Sequence, residues 1–354
     1  MTVDTLAARG LVCPAPAAEA GRVQLGHGSG GKMSAALLAE RFLPHLGNPT
    51  LAQLGDAAVL DVGDGVLALS TDTFVVQPLE FPGGNIGTLA VHGTLNDLVM
   101  MGARPRALSA GFVLEEGLPF DVLDRVVAAM GNAARAAGVV VATGDTKVVE
   151  RGKADGLYVN TSGIGVVSPD FRPAPDRVRP GDAVLVSGPL GRHGIAVLAA
   201  RGSIAFEVEL ESDSAYLGPL VERLREALGP DVHALRDPTR GGLASTLNEI
   251  AAASGVGVAL REGTIPVPEA VAGACEMLGF DPLYVANEGV LAAFVPAARA
   301  DDALAALRAH PLGREAALIG RVVADHPRMV VLETGIGGTR IVDLLPGDQL
   351  PRIC

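Results

Sequence analysis

The sequence predicts two α+β domains in succession, and three observations carry that prediction. Its 354 residues exceed what one hydrophobic core usually serves. Strand-like and helix-like apolar patterns alternate through both halves. Between the halves lies SPDFRPAPDRVRPGD, residues 168–182, with four prolines and no hydrophobic period, which suits an interdomain connection.

In the first half, 57–60 and 65–70 read as short buried strands joined by an Asp-Gly turn at Asp64 and Gly65. Residues 86–101 place apolar side chains at helical spacing and stop before Gly102, and 120–137 repeats the habit before Gly138, so both read as helices. Strands at 107–114 and 156–167 complete a domain spanning 23–167. The second domain, 183–345, reads as strands near 183–187, 289–295, 316–323, 328–333 and 339–344. Helices are expected there near 191–201, 214–228, 241–254 and 300–309. Beyond the last strand, residues 346–354 form a tail expected to be exposed and mobile. Residues 1–22 stand before the first domain as an N-terminal extension, and they suggest no role.

Composition narrows the function. A net charge of -12 disfavours nonspecific binding to nucleic acid or anionic lipid. Aromatic residues make up 3% with no Trp, which argues against platforms for stacking bases. No apolar run approaches the ~20 residues of a membrane span, and no secretory signal stands at the N-terminus. Cys13, Cys275 and Cys354 show no CxxC spacing and no histidine at zinc-finger distance. A protein of the reducing cytoplasm, acting on proteins or small molecules, is the expectation.

The chemistry lies between the regular elements. HGSGGKM, from His27 to Met33, puts Gly28, Gly30, Gly31 and Lys32 ahead of a helix-like stretch. Glycines let backbone N–H groups turn inward around phosphate, and lysine adds a point charge. Asp56, Asp72, Asp97, Asp145 and Asp237 stand at expected loop or element-end positions. Hard carboxylates suit magnesium, which bridges triphosphate to one or two protein oxygens, so these aspartates can converge on ATP. Singly, each aspartate also reads as a cap or turn residue. Arg240 in DPTRGG suits a phosphate grip or the cap of the following helix. His92, within an apolar helix, reads as a hydrogen-bonded interior residue. Pro82 to Asn85 reads as an ordered loop before a helix.

HGSGGKM, STDTFVVQPLEFPGGNIGTLAVHGTLNDLVMMGA, ATGDTKVV, DPTRGGLA, ANEG and the terminal PRIC follow one another as they do in the HypE family, which the chain resembles over nearly its whole length. That family is in turn similar to the ATP-binding superfamily of aminoimidazole ribonucleotide synthetase, selenophosphate synthetase and thiamine-monophosphate kinase. The resemblance implies a two-domain PurM-like α/β fold, dimerised through the N-terminal sheets, with ATP and Mg2+ as cofactors. It implies that Cys354 accepts a carbamoyl group from HypF, that ATP drives its dehydration to a thiocyanate, and that the cyanide group passes to iron held by HypC and HypD for nickel-iron hydrogenase. It also assigns Gly144 to the nucleotide site. Lys147 and Glu288 are its candidates for the base, although Lys147 equally suits a γ-phosphate and Glu288 a structural salt bridge. The terminal α-carboxylate disfavours a Cys354 thiolate and Arg352 favours it. Two rivals are a superfamily kinase, indifferent to loss of Cys354, and a nucleotide-binding scaffold that does not consume ATP with each modification.

Overall fold

The computed structural model describes residues 31–37, 39–40, 56–61, 65–202, 210–345, 347 and 350–354. Gly28, Gly30, the extension at 1–22 with Cys13, and Asp64 lie outside the described residues. The described strands form two sheets, one in each half of the chain, and a small two-stranded hairpin.

The first half supplies β1 (Ala58–Asp61), β2 (Val66–Phe74), the hairpin of β3 (Glu80–Phe81) and β4 (Gly84–Asn85), and then β5 (Ala103–Glu115), β6 (Val140–Val149) and β7 (Leu157–Val167). The larger strands order as β1-β2-β7-β5-β6. Only the β5–β6 pairing in this sheet is parallel. β7 alternates buried and more exposed residues along its length, as a strand covered on one face must. Helices Ile86–Met100 and Phe120–Ala136 supply the cover. The first is capped by Asn85, whose side chain accepts from the Gly87 and Thr88 N–H groups while Thr88 answers to the Asn85 backbone. It is buried almost all round, since it lies between the first sheet and segments of the second domain. The second helix is amphipathic and buries Val126, Met130, Ala133 and Ala134. The opposite face of the sheet stays open and carries Leu69, Ile164 and Val166 exposed.

β6 corrects the expectation that Asp145 in ATGDTKVV stands at a loop or element end, since the whole segment is strand. Valines at both ends favour extended backbone, and at Gly144 a Cβ would sit 2.4 Å from the Ala110 carbonyl oxygen. Glycine is needed there for close strand approach, although Gly and Asp together read as turn residues in isolation.

The second half supplies β8 (Asp182–Val186), β9 (Ala234–Arg236), β10 (Gly257–Arg261), β11 (Ala292–Pro296), β12 (Ala317–Val323), β13 (Val330–Glu333) and β14 (Thr339–Val342), ordered β14-β13-β10-β12-β8-β11-β9. β8 is buried throughout, because both faces of this sheet are covered. Helix Gly242–Ser254 packs Leu243, Leu247 and Ile250 on one side, and helices Gly218–Leu228 and Ala300–Arg308 pack on the other. β9, β10 and helix Glu269–Leu278 escaped the sequence reading, being short or lacking a clear apolar period. The connection at 168–182 is not loose: Phe171 and Val178 are buried in it, and the Ala174 N–H bonds to the His233 carbonyl.

One hydrophobic cluster crosses from the first domain into helices Arg192–Ala200 and Glu269–Leu278 and takes in Leu350 and Ile353 of the tail. The expected exposure of the tail is therefore corrected. Burying two such side chains contributes about 1.5–3 kcal/mol each, enough to hold a short terminal segment against fraying.

Candidate active site: buried carboxylates beside a docked C-terminus

The carboxylates converge because two elements present them at matching periods. On β2, Ser70 and Asp72 are two residues apart and share a face. On helix Ile86–Met100, Thr94 and Asp97 are three apart and share another. Ser70 Oγ donates to Asp97 Oδ2 at 2.6 Å, and Thr94 Oγ1 donates to Asp72 Oδ2 at 2.9 Å. Asp56 enters just ahead of β1 and Asp237 just after β9. Carboxylate oxygens of Asp56, Asp97 and Asp237 all lie within 4.8 Å of one another.

At an effective dielectric of about 20, like charges at that spacing repel by ~3 kcal/mol per pair. Burial, then Asp237, Glu249 and Asp72, push Asp56 up to about 8 against the pull of Arg236, and burial with Asp72 pushes Asp237 up to about 6 against the same pull. Burial raises Asp72, and burial with its neighbouring carboxylates raises Asp97 well above the usual range. Arg236 offsets part of the charge, with Nε 2.6 Å from Asp56 Oδ1 and Nη2 2.6 Å from Glu249 Oε2. An oxygen-only donor set with surplus negative charge is what a hard divalent cation neutralises.

Glu288 is 2% exposed, and its Oε1 has no hydrogen-bond partner. Burial first, then Asp237 and Asp213, hold its carboxyl well above the usual range. Such an orphan needs a ligand or a role in chemistry. Arg240 connects this group to the tail: the charge at Cys354 is the largest influence raising its pKa, followed, after the opposing effect of burial, by Asp72, Glu288 and Asp97. A cavity of about 20 Å³ beside Arg240 is lined by Gly31, Ser245, Leu350 and Ile353, and Ser245 Oγ is likewise buried without a partner. The unpartnered Ser245 hydroxyl, the Arg240 guanidinium and the Gly31 end of the glycine loop face one small space whose donors suit a phosphate oxygen.

Cys354 reaches this place because the chain end docks. Its carbonyl accepts from the Val75 N–H at 3.1 Å, and the Arg352 carbonyl accepts from the Gln77 N–H at 3.2 Å. Arg352 also pairs with Asp155. Cys354 is partly exposed, and Cys275 is buried, where burial and Asp281 push its thiol up to about 11.

Of the sequence candidates, Asp56, Asp72, Asp97, Asp237, Glu288, Arg240, Gly31 and Cys354 are thus brought to one region. Others are not. Lys32 pairs with Asp343 at 2.5 Å, near the root of the tail. Lys147 and Asp145 stand exposed on edge strand β6 and pair with each other at 2.5 Å; the Lys147 hydrogen bond, with the Thr146 N–H, holds Asp145 below its ordinary value. Gly144 serves the contact of β6 with β5. Within one chain Lys147 makes no bond to Glu288. Asp72 and Asp97 sit inside a strand and a helix rather than at loops or element ends, and Asp145 sits in mid-strand.

The sequence reading missed Arg236 and Asp213. Arg236 adjoins Asp237, and that adjacency was its only signal. Asp213 accepts from the Glu288 and Gly289 N–H groups at 3.3 and 3.2 Å and so sets the ANEG loop; burial pushes it up to about 6. Nothing in SDSAY marks that role, which depends on a contact with a distant loop.

Comparison with known proteins accounts for this arrangement. Residues 54–167 match the family described as AIR synthase related protein, N-terminal domain, and 179–332 match its C-terminal domain. Carbamoyl dehydratase HypE of Azotobacter vinelandii is 54% identical over 334 residues, covering 94% of this chain and 98% of that protein. A crystal structure of hydrogenase maturation protein HypE in complex with ATP is 53% identical, with a TM-score of 0.79 over 94% of this chain and 100% of that one. A HypE–HypF complex contains a chain 44% identical, with a TM-score of 0.83 over 88% of this chain and 100% of that one. The docked terminal cysteine, the carboxylate cluster and these matches along both domains agree: the chain belongs to the carbamoyl dehydratase HypE family.

Proposed function

We propose that this enzyme dehydrates a carbamoyl group carried on the sulfur of its own Cys354 to a thiocyanate, at the expense of ATP, supplying the cyanide ligand for the iron of nickel-iron hydrogenase. The observation that carries the reading is the docked chain end, whose Leu350 and Ile353 line one cavity with Arg240 while the Cys354 carbonyl pairs with Val75 just beyond the strand that bears Asp72.

The carried group, S–C(=O)–NH2, loses its oxygen and both nitrogen-bound protons to become S–C≡N. An amide oxygen is a poor leaving group, and transfer of the ATP γ-phosphoryl to it lets it depart as phosphate, leaving ADP. Mg2+, when bound at Asp56, Asp97 and Asp237, supplies charge neutralisation for the phosphates. Arg240 steadies negative charge beside Cys354, and Gly31 with Ser245 offers donors to phosphate oxygens. Glu288 is the base. A carboxyl held above its ordinary range accepts a proton from nitrogen more readily than an exposed glutamate, and its free Oε1 has capacity for one.

The carbamoyl donor on this reading is a HypF carbamoyltransferase, and the product passes to iron on HypC and HypD. The exposed apolar face of the first sheet, with Leu69, Ile164 and Val166, fits a second copy of the chain. A catalytic part for Lys147 requires such a neighbour. Among the described residues no helix is long and apolar enough to cross a membrane, and a cytoplasmic reaction suits the free thiols.

Intact mass spectrometry tests the proposal, with HypF, carbamoyl phosphate and ATP-magnesium added to the wild type and to Cys354→Ala. The wild type gains a carbamoyl adduct that loses the mass of one water only with ATP, and the variant gains neither. An adduct that persists in Cys354→Ala defeats the reading.

A further inference from the structure

The terminal residues are held by their main chain, and two side chains of one helix do much of the holding. Arg201 caps helix Arg192–Ala200, and its Nη2 donates to the Pro351 and Arg352 carbonyls, both at 2.6 Å. His193, in the first turn of the same helix, bonds through Nε2 to the next carbonyl, that of Ile353, at 2.8 Å. Three consecutive carbonyls are thereby taken. We propose that Arg201 and His193 are positioning residues that latch the tail by its backbone and set how long Cys354 stays at the site.

The geometry fits a latch better than general packing. A carbonyl only accepts, so His193 Nε2 carries the proton, and Nδ1 accepts from Ser212 Oγ at 2.8 Å. Ser212 is fixed in turn, its Oγ accepting from the Ser214 N–H and its N–H donating to the Pro82 carbonyl of the first domain. Phe81 meets the imidazole edge-on, with ring centroids 5.5 Å apart. The ring therefore cannot turn away without breaking contacts on both sides. Arg201 Nε meanwhile donates to the Gln77 carbonyl at 2.8 Å, so one guanidinium ties the first domain, the second domain and the tail. On its far side the tail pairs with residues 75–77 in strand fashion, Val75 to Cys354 and Gln77 to Arg352.

The docked form also stores backbone strain. Arg352 has φ +56, a left-handed conformation that a non-glycine residue keeps only where its surroundings impose it. Removing the latch therefore favours release. Because the grip touches no side-chain atom of Cys354, it works on the thiol, the carbamoyl form and the thiocyanate alike.

Two readouts on the full-length protein test this, and only the second rests on the carbamoyl dehydratase reading. The first is the rate at which iodoacetamide alkylates Cys354, located by peptide mapping. The second is the pair of single-turnover rates, carbamoyl acceptance from HypF and dehydration of the loaded chain. Arg201→Ala is expected to speed alkylation by about tenfold or more, the factor given by losing even one of the two hydrogen bonds from this charged group to the tail, with its thermal midpoint held. Dehydration slows by a similar factor while carbamoyl acceptance does not fall. Arg201→Lys lies between, and carries the test should the alanine variant not fold. His193→Gln, which keeps a donor near the Nε2 position, preserves more docking than His193→Ala. Unchanged alkylation in a folded Arg201 variant overturns the latch. So does a parallel fall of both half-reactions with the thermal midpoint, the mark of a merely structural role. Absence of any carbamoyl chemistry in the wild type defeats the functional reading and leaves the alkylation result to decide the latch.

Discussion

Asp237 and Asp145 stand in similar short motifs, DPTR and GDTK, each with a cation within three residues, and the fold gives them opposite surroundings. Asp237 is buried among Asp56 and Asp97, and its carboxyl is pushed up to about 6. Asp145 faces solvent on β6 with Lys147 as partner and is held below its ordinary value. An exposed pair of this kind is worth little. The buried group carries a cost that a bound cation, as proposed, would offset. The difference teaches that the surplus of buried negative charge, rather than the aspartate motif, marks the proposed cation site.

The comparison breaks first if the buried carboxylates are dispensable. Asp97→Asn and Asp237→Asn are each expected to lower the dehydration rate by on the order of 100-fold or more, while the metal-free protein melts higher at pH 8. Mass spectrometry of the loaded chain and thermal melts measure the two effects, which should run in opposite directions. Glu288→Gln removes the proposed base without changing shape, and a loss of on the order of 100-fold in dehydration is expected, with carbamoyl acceptance kept. Equal losses in both half-reactions would assign Glu288 to structure instead.

A pH series sharpens the contrast. Asp237 and Asp56 bind their protons more tightly folded than unfolded, so their contribution to stability is full below the ordinary value of 3.8 and is lost as pH rises through about 6 and about 8. Metal-free wild type should therefore lose ~1.4 kcal/mol of stability relative to Asp237→Asn as pH goes from 5 to 8. Magnesium should flatten the difference. Asp145 has the reverse sign: its contribution is present above 3.8 and disappears only as pH falls below that value. Gly289 offers a smaller lever. A Cβ there would stand 1.7 Å from the Asp213 carbonyl oxygen, so Gly289→Ala should cost about 1–3 kcal/mol by denaturant titration and displace the loop bearing Glu288. Least of all, Asp145→Asn should leave the thermal midpoint of the isolated chain unmoved from pH 5 to 8.

Much of the architecture was legible beforehand. Apolar spacing in IGTLAVHGTLNDLVMM announced the helix that now carries Asp97, and Gly102 marked its end. The proline-rich break at 168–182 separated two sets of alternating elements. What failed to show were β6, whose Gly and Asp mimic a turn, and β9 and β10, too short for a period. Asp213 was invisible as a site residue and Arg236 was marked only by its neighbour Asp237, because each acts on a partner brought from far along the chain.

By itself, then, the sequence determined the two α+β domains, the order of motifs that ties the chain to its family, and a cysteine at its end, since periodicity and motif order are local properties. Only the tertiary structure decided which aspartates crowd within 4.8 Å of one another, that Lys147 and Asp145 stand apart from Glu288 within one chain, and that the tail rests inside under Arg201 and His193. Desolvation and repulsion between charges depend on distances through space, and residues 56, 97, 237 and 354 acquire those distances only when both domains close around one helix.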